Sequence, residues 1–249
     1  MTKAPPGYKT RKQRAATGPT VRMKHTKVKT ARGRKISSKL WLERQLNDPY
    51  VIEAGRQGYR SRAAFKLLEL DGKFHFLKSG ARVVDLGATP GGWSQVAAEI
   101  VLKGKNGKAG KVVALDIQAM EPLPDVTFLL QDFMDSDAPD NLKAALGGEA
   151  DLVISDMAAK ATGHTPTDHL RIMGLCETAL QFAREVLATD GAFVAKVLQG
   201  GTEGDLLNAM KTDFKVVRHA KPPASRQDSA EMYVVATGFK GRTLGRLET

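Results

Sequence analysis

Val84-Asp85-Leu86-Gly87-Ala88-Thr89-Pro90-Gly91-Gly92-Trp93 is the stretch from which the rest of the chain is read. Arg82-Val83-Val84-Asp85-Leu86 has the composition of a buried strand, and Trp93-Ser94-Gln95 opens a helical pattern that runs to Leu102. Between them Gly87, Gly91 and Gly92 lack a Cβ, so the backbone can take positive φ and come close to a bound molecule. The dinucleotide pattern G-x-G-x-x-G brings backbone N–H groups to a pyrophosphate. Here Thr89 stands at the second glycine, and Pro90 has no N–H and restricts Thr89 to extended backbone. The turn therefore suits a nucleoside without phosphates, of which S-adenosylmethionine (SAM) is the common one. The same two residues disfavour a NAD-dependent oxidoreductase.

Downstream, strands and helices alternate. Strands are predicted at 111–116, 126–130, 151–156, 191–197, 215–219 and 231–237, with helices at 138–146, 167–187 and 203–210. This is an α/β chain with a mainly parallel, seven-stranded, doubly wound sheet, the arrangement of a Rossmann-like methyltransferase. Only a loop separates the last two strands, which predicts an antiparallel hairpin at one edge. Upstream, Ser37–Leu46 has helical spacing and Asn47-Asp48-Pro49 ends it. A second helix is predicted over Ser61–Leu70, closed by Asp71-Gly72, with Phe65, Leu68 and Leu70 inward and Arg62, Lys66 and Glu69 on the other side. Spacing alone reads Lys66 as a solvated surface lysine.

Ligands of open α/β sheets bind beyond the carboxyl ends of the strands, and successive strands here end in Asp85, Asp116, Asp132 and Asp156. Asp116 is placed to accept from ribose hydroxyls, Asp132 from an adenine amino group, and Asp156 to sit near the sulfonium. Four acids around one pocket suit a cationic ligand such as SAM.

The net charge of +11 is unevenly spread. Residues 1–35 hold Lys3, Lys9, Arg11, Lys12, Arg14, Arg22, Lys24, Lys27, Lys29, Arg32, Arg34 and Lys35 with no Asp or Glu, leaving 26 of the 38 basic residues against 27 acidic ones elsewhere. Broken by Pro5-Pro6-Gly7 and Gly18-Pro19, this segment is expected to be a disordered basic arm for a polyanion, with a single domain over 36–249. A solvated tail is the competing reading; an amphipathic transit helix fits less well, because the segment is Lys-rich and interrupted. The chain has no apolar run long enough to suggest a membrane span. Cys176 is the only cysteine, so no intramolecular disulfide or Cys-rich zinc site can form, and a reducing cytoplasm is the natural setting. His164 and His169 fall in a loop without metal-ligand spacing.

Val84–Gln95, taken with Tyr59-Arg60-Ser61-Arg62-Ala63-Ala64-Phe65-Lys66-Leu67, Ser155-Asp156-Met157-Ala158, Phe193-Val194-Ala195-Lys196-Val197 and Glu231–Gly238, closely resembles the FtsJ/RlmE family of RNA 2′-O-ribose methyltransferases. The match runs in the family's order from residue 36 to about 240. The resemblance implies a catalytic tetrad of Lys66, Asp156, Lys196 and Glu231, which overturns the surface reading of Lys66. It also implies cofactor contacts from Gly91, Trp93, Asp116, Asp132 and Asp156; on physics alone Trp93 fits core packing equally well. Lys196 is the implied base. A lysine with an ordinary pKa of about 10.4 is protonated at neutral pH, so desolvation or a cationic neighbour such as Lys66 must favour its neutral form, while Asp156 and Glu231 oppose this.

The family's bacterial branch acts on a uridine of 23S ribosomal RNA in the assembled 50S subunit. The resemblance therefore implies that substrate, a SAM donor, no metal, no DNA or membrane partner, and a monomer. Alternatives are the same chemistry on tRNA and a ribosome assembly factor in which catalysis is incidental. Ser225–Ala230 holds only Arg226 where relatives carry several basic residues, which shifts RNA contacts toward the arm.

Overall fold

The computed structural model describes residues 26–28, 36–103, 110–160, 162–199 and 203–241. Apart from Thr26, Lys27 and Val28, the segment 1–35 lies outside the described residues, so the expectation of disorder falls there as well. The elements are α1 (Ile36–Leu46), α2 (Pro49–Gln57), α3 (Ala63–Phe74), β1 (Arg82–Leu86), α4 (Gly92–Val101), β2 (Lys111–Asp116), β3 (Val126–Leu130), α5 (Ala138–Leu146), β4 (Ala150–Ser155), α6 (Thr165–Val186), β5 (Leu187–Leu198), α7 (Glu203–Asp213), β6 (Phe214–Ala220) and β7 (Glu231–Phe239).

The seven strands form one sheet in the order β3-β2-β1-β4-β5-β7-β6. The first five are parallel, and β7 runs antiparallel to both β5 and β6. The expected hairpin is present, but β6 takes the edge and β7 is inserted beside β5. Strand order reverses between β1 and β4, and such a reversal opens a crevice at the carboxyl ends. Each face buries its own core. Val84, Leu86, Phe193 and Val234 lie under α5, α6 and α7, while Val83, Leu152, Val194 and Tyr233 lie under α3 and α4.

Three local readings change. Asn47-Asp48-Pro49 does end α1, but it also starts α2: the Asp48 carboxylate accepts from the Tyr50 N–H, Pro49 occupies the first turn, and Gly58 closes the helix at φ 78. Asp71-Gly72 does not close α3, which continues to Phe74 and ends at His75 in the left-handed region. Asp71 is buried and accepts from the Leu77 N–H at 2.8 Å, so it braces the turn after the helix. His169 lies in the first turns of α6, not in a loop. Cys176 is in the core, as its helix face predicted.

Candidate active site

The turn after β1 is fixed by backbone bonds across the sheet: the Gly87 and Ala88 N–H groups both donate to Leu115 O, and the Asp156 N–H donates to Leu86 O. These bonds carry the ends of β1, β2 and β4 to one place. The glycines answer mainly to the protein itself. At Gly87 (φ +75) a Cβ would lie 2.8 Å from the Met157 Cα, and at Gly92 it would run into the Ser61 hydroxyl at the start of α3. The tight packing of the turn between β4 and α3 is therefore what demands glycine.

Beside the turn lies a cavity of about 650 Å³, lined by Gly87, Thr89, Asp116, Asp132, Met134 and Asp156 among others. Asp116 and Asp132 are both tied to their loops. Asp116 Oδ2 accepts from the Thr89 N–H at 2.9 Å and Oδ1 from the Gln118 N–H at 2.8 Å, and Asp132 Oδ1 accepts from the Met134 N–H at 2.9 Å. Three of the predicted cofactor residues, Asp116, Asp132 and Asp156, thus share one cavity. Gly91 and Trp93 stand outside its lining. Gly91 faces Leu123, Arg60 and Met120. The Trp93 indole is buried, donates to Ala63 O at 2.8 Å and packs on Tyr233 with ring centroids 5.5 Å apart. Its side chain follows the core-packing reading, which leaves only its backbone at the turn.

Behind the cavity, Asp85 is fully buried and accepts from the Ser94 hydroxyl at 2.6 Å. Burial pushes its carboxyl up to about 7; the Ser94 hydroxyl works against this, and the neighbouring charges of Asp156 and Asp116 reinforce it.

The four residues of the implied tetrad meet on the other side of Asp156. Lys66 Nζ is 2.7 Å from Glu231 Oε1, and Lys196 Nζ is 2.7 Å from Asp156 Oδ1 and 4.0 Å from Glu231 Oε2. Lys196 Nζ also donates to Asp156 O at 2.8 Å. Only 12% of the Lys66 side chain is exposed, so spacing misread it. Its helix neighbours are not solvated either. Arg62 pairs with Asp48 and donates to Ala224 O, and Glu69 accepts from the Tyr50 hydroxyl and the Ala224 N–H. This polar seam fastens α3 to the loop before β7.

Strand register explains the convergence. Lys196 of β5 lies opposite Tyr233 of β7, Leu198 lies opposite Glu231, and Ser155 of β4 is paired with Ala195. Tyr233 is the residue that sequence reasoning missed. Its ring is fully buried, its hydroxyl accepts from Lys66 Nζ at 3.1 Å and donates to Asp156 Oδ1 at 2.8 Å. The available signal was its position two residues after Glu231, which puts both side chains on one face of the strand. Burial and the charges of Asp156 and Glu231 hold its phenol well above the ordinary tyrosine range. Burial opposes ionisation of Asp156, yet the charges of Lys196 and Lys66 and the bonds from Lys196 and Tyr233 prevail and lower its pKa.

A second cleft, of about 470 Å³, opens on the far side of Lys66 and Glu231, with Arg44, Arg62 and Arg226 in its wall. Asp228 and Glu231 line it as well, and the Asp48 carboxylate pairs with Arg62 and lies 3.6 Å from Arg226. The site is thus a cavity whose three acids, Asp116, Asp132 and Asp156, outnumber Lys160 and Arg171, and a cleft whose cations outnumber Asp228 and Glu231, with two lysine–carboxylate pairs between them.

The family described as FtsJ-like methyltransferase matches residues 59–239. Ribosomal RNA large subunit methyltransferase E of Paramagnetospirillum magneticum is 67% identical over 86% of this chain and 88% of its own length. The protein of the same name from Xanthobacter autotrophicus is 60% identical over 93% and 90%. The crystal structure of a ribosomal RNA methyltransferase from Plasmodium falciparum superposes with a TM-score of 0.65 at 30% identity, covering 74% of this chain and all of that one.

Proposed function

The chain belongs to the FtsJ-like methyltransferase family, and from that premise we propose that it methylates the ribose 2′-oxygen of a uridine in 23S ribosomal RNA, in the assembled 50S subunit, with SAM as donor. The observation that carries the reading is the pair of lysine–carboxylate contacts, Lys66–Glu231 and Lys196–Asp156, standing between the mainly acidic cavity and the mainly cationic cleft.

The residues fit the donor. The cavity has the volume of a small-ligand site, and its acids favour a cation while Met134 and Ile117 offer apolar contact to a base. Asp116 would hold the ribose hydroxyls, Asp132 the adenine amino group, and Asp156 the neighbourhood of the sulfonium. Gly91 and Trp93 would contribute through the backbone of the turn. Bound SAM supplies a methyl group already activated by the positive sulfur.

The chain must then hold the acceptor oxygen in line and take its proton. Lys196 Nζ, oriented by Asp156 Oδ1 and Asp156 O, keeps its remaining direction for the acceptor hydroxyl and acts as the base. Lys66, held by Glu231 and Tyr233, places positive charge where negative charge grows on the 2′-oxygen. The Tyr233 hydroxyl binds the same carboxylate oxygen as Lys196 and so divides the charge of Asp156 between them. Outside the cleft, residues 1–35 serve as a basic arm on the phosphate surface, and the domain that does the chemistry is 36–249.

Mapping 2′-O-methyl marks in RNA from cells with and without the protein tests the substrate. Loss of one uridine mark in 23S RNA is expected, and the purified enzyme is expected to methylate 50S subunits and not tRNA. Marks lost from tRNA alone would overturn the ribosomal reading.

A further inference from the structure

The loop 117–125, between β2 and β3, gives Ile117 and Gln118 to the wall of the donor cavity. Little of it is buried: Ile117 is 64% exposed, and only Met120 and Leu123 are partly covered. Apolar contacts alone hold such a loop weakly in one conformation. Two side chains from outside tie it down. At its start the Thr89 hydroxyl donates to Gln118 O at 2.7 Å. Farther along, Arg60 Nη1 donates to Glu121 O at 2.5 Å and Nη2 to Pro122 O at 2.7 Å, and Nη1 also reaches Pro90 O in the turn at 3.5 Å.

Arg60 is itself held in place. Its backbone N–H donates to Gln95 Oε1 at 3.1 Å while Gln95 Nε2 donates to Gly58 O at 2.8 Å, so the first turns of α4 fix the segment ahead of α3. Its stem, Met120 and Leu123 crowd one point of the turn. A Cβ on Gly91, which stands at φ +102, would lie 3.2 Å from Arg60 Cδ, 3.2 Å from the Met120 sulfur and 3.0 Å from Leu123 Cδ1.

We infer that Arg60 is a positioning residue for the donor: its guanidinium fastens the 117–125 loop against the glycine turn, so that the cavity wall at Ile117 and Gln118 is ordered before SAM arrives. The inference rests on the reading that this cavity holds the donor. Without the guanidinium the carbonyls of Glu121 and Pro122 turn to water, and part of the loop's ordering falls on the binding step. Affinity then drops while the reacting groups stay where they were, since the Arg60 side chain bonds to backbone carbonyls and not to the tetrad among the described residues.

The competing explanation is that Arg60 is a cation for RNA phosphate. Arg60→Met and Arg60→Lys separate the two: methionine keeps an unbranched stem beside Gly91 and removes every donor, and lysine keeps the charge but serves one carbonyl at a time. SAM affinity is read by calorimetry without RNA, amide exchange of residues 118–125 by mass spectrometry, and methyl transfer to 50S subunits over a range of SAM and subunit concentrations. In Arg60→Met, exchange in the loop is expected to speed about tenfold with the sheet unchanged. The Kd and KM for SAM are expected to rise together about three- to tenfold, with the rate at saturating SAM within about twofold of the parent. Arg60→Lys is expected to fall between. The inference needs both effects, so unchanged loop exchange or unchanged SAM affinity in Arg60→Met would overturn it. A defect confined to 50S binding and fully rescued by lysine would make Arg60 a phosphate contact, and faster exchange throughout the protein would make it a residue of general stability; either sinks the positioning role. Asp116→Asn is measured alongside. Unweakened SAM binding there would remove the donor-cavity reading and this inference with it, whereas a loss there and none in Arg60→Met would remove this inference alone.

Discussion

The two halves of the site are built in different ways. The half proposed to hold the donor is local: Asp116 ends β2, Asp132 follows β3 and Asp156 follows β4, so each acid is delivered by its own strand to the same end of a parallel sheet. The half proposed to face the acceptor is made of residues far apart in the chain. Lys66 comes from α3, Lys196 from the far end of β5, and Glu231 and Tyr233 from β7, and they meet only because β7 runs backwards beside β5. Asp156 belongs to both halves, since it lines the cavity and its carboxylate pairs with Lys196 and accepts from Tyr233.

That contrast is open to direct attack, beginning with its largest consequence. Lys196→Ala is expected to lower methyl transfer to 50S subunits about 10³-fold while SAM affinity, read by calorimetry, stays within about twofold, a narrow margin set because lost donor binding would mean the halves are not separable. Tyr233→Phe leaves the core volume nearly intact but removes the link between Lys66 and Asp156. A fall of about 10- to 100-fold in the single-turnover rate is expected, within the range for a group that supports proton transfer, with unchanged SAM affinity. Full activity in this variant would reduce Tyr233 to a packing residue.

On the donor side, Asp116→Asn should weaken SAM binding by about tenfold, the scale of one charge-assisted hydrogen bond, and leave the rate at saturating SAM close to that of the parent. A large fall in that rate would show that the two halves are coupled through the turn at Thr89. The smallest effect concerns stability. Because the Asp85 carboxyl is pushed up to about 7 from an ordinary value of 3.8, its favourable contribution is complete below about pH 4 and is lost as pH rises through 7. Asp85→Asn should therefore match the parent in Tm near pH 4 and exceed it by a few degrees near pH 8, corresponding to about 1–2 kcal/mol. A difference that did not grow with pH would mean that Asp85 is ionised throughout.

Much of the donor half was legible because it obeys periodicity. Apolar runs of five or six residues marked β1, β2 and β3 at their observed limits, and the acids at their ends followed from the geometry of parallel sheets. The acceptor half had no such signal. Lys66 sits at a helical position that periodicity assigns to solvent, and it is the seam of Arg62, Glu69, Asp48 and Ala224 that closes over that face. The tetrad was reached through family likeness alone. Tyr233 read as an ordinary strand residue, since nothing in a single sequence reveals that β7 is paired with β5 as well as with β6. The core-packing reading of Trp93 holds, its indole backing Tyr233, and the glycines carry a demand the sequence did not show: Gly87 and Gly92 make room for Met157 and Ser61.

The insertion of β7 between β5 and β6 also sets an order in time. A chain emerging from synthesis has Asp85, Asp116, Asp132 and Asp156 long before it has Glu231, and the last strand must enter a sheet whose neighbours on both sides precede it in sequence. Until residues 231–239 are in place, Lys66 has no Glu231 to pair with and Lys196 no Tyr233 opposite it. On the proposed roles, the residues assigned to the donor are thus made early, and the set assigned to the acceptor is complete only with the last strand.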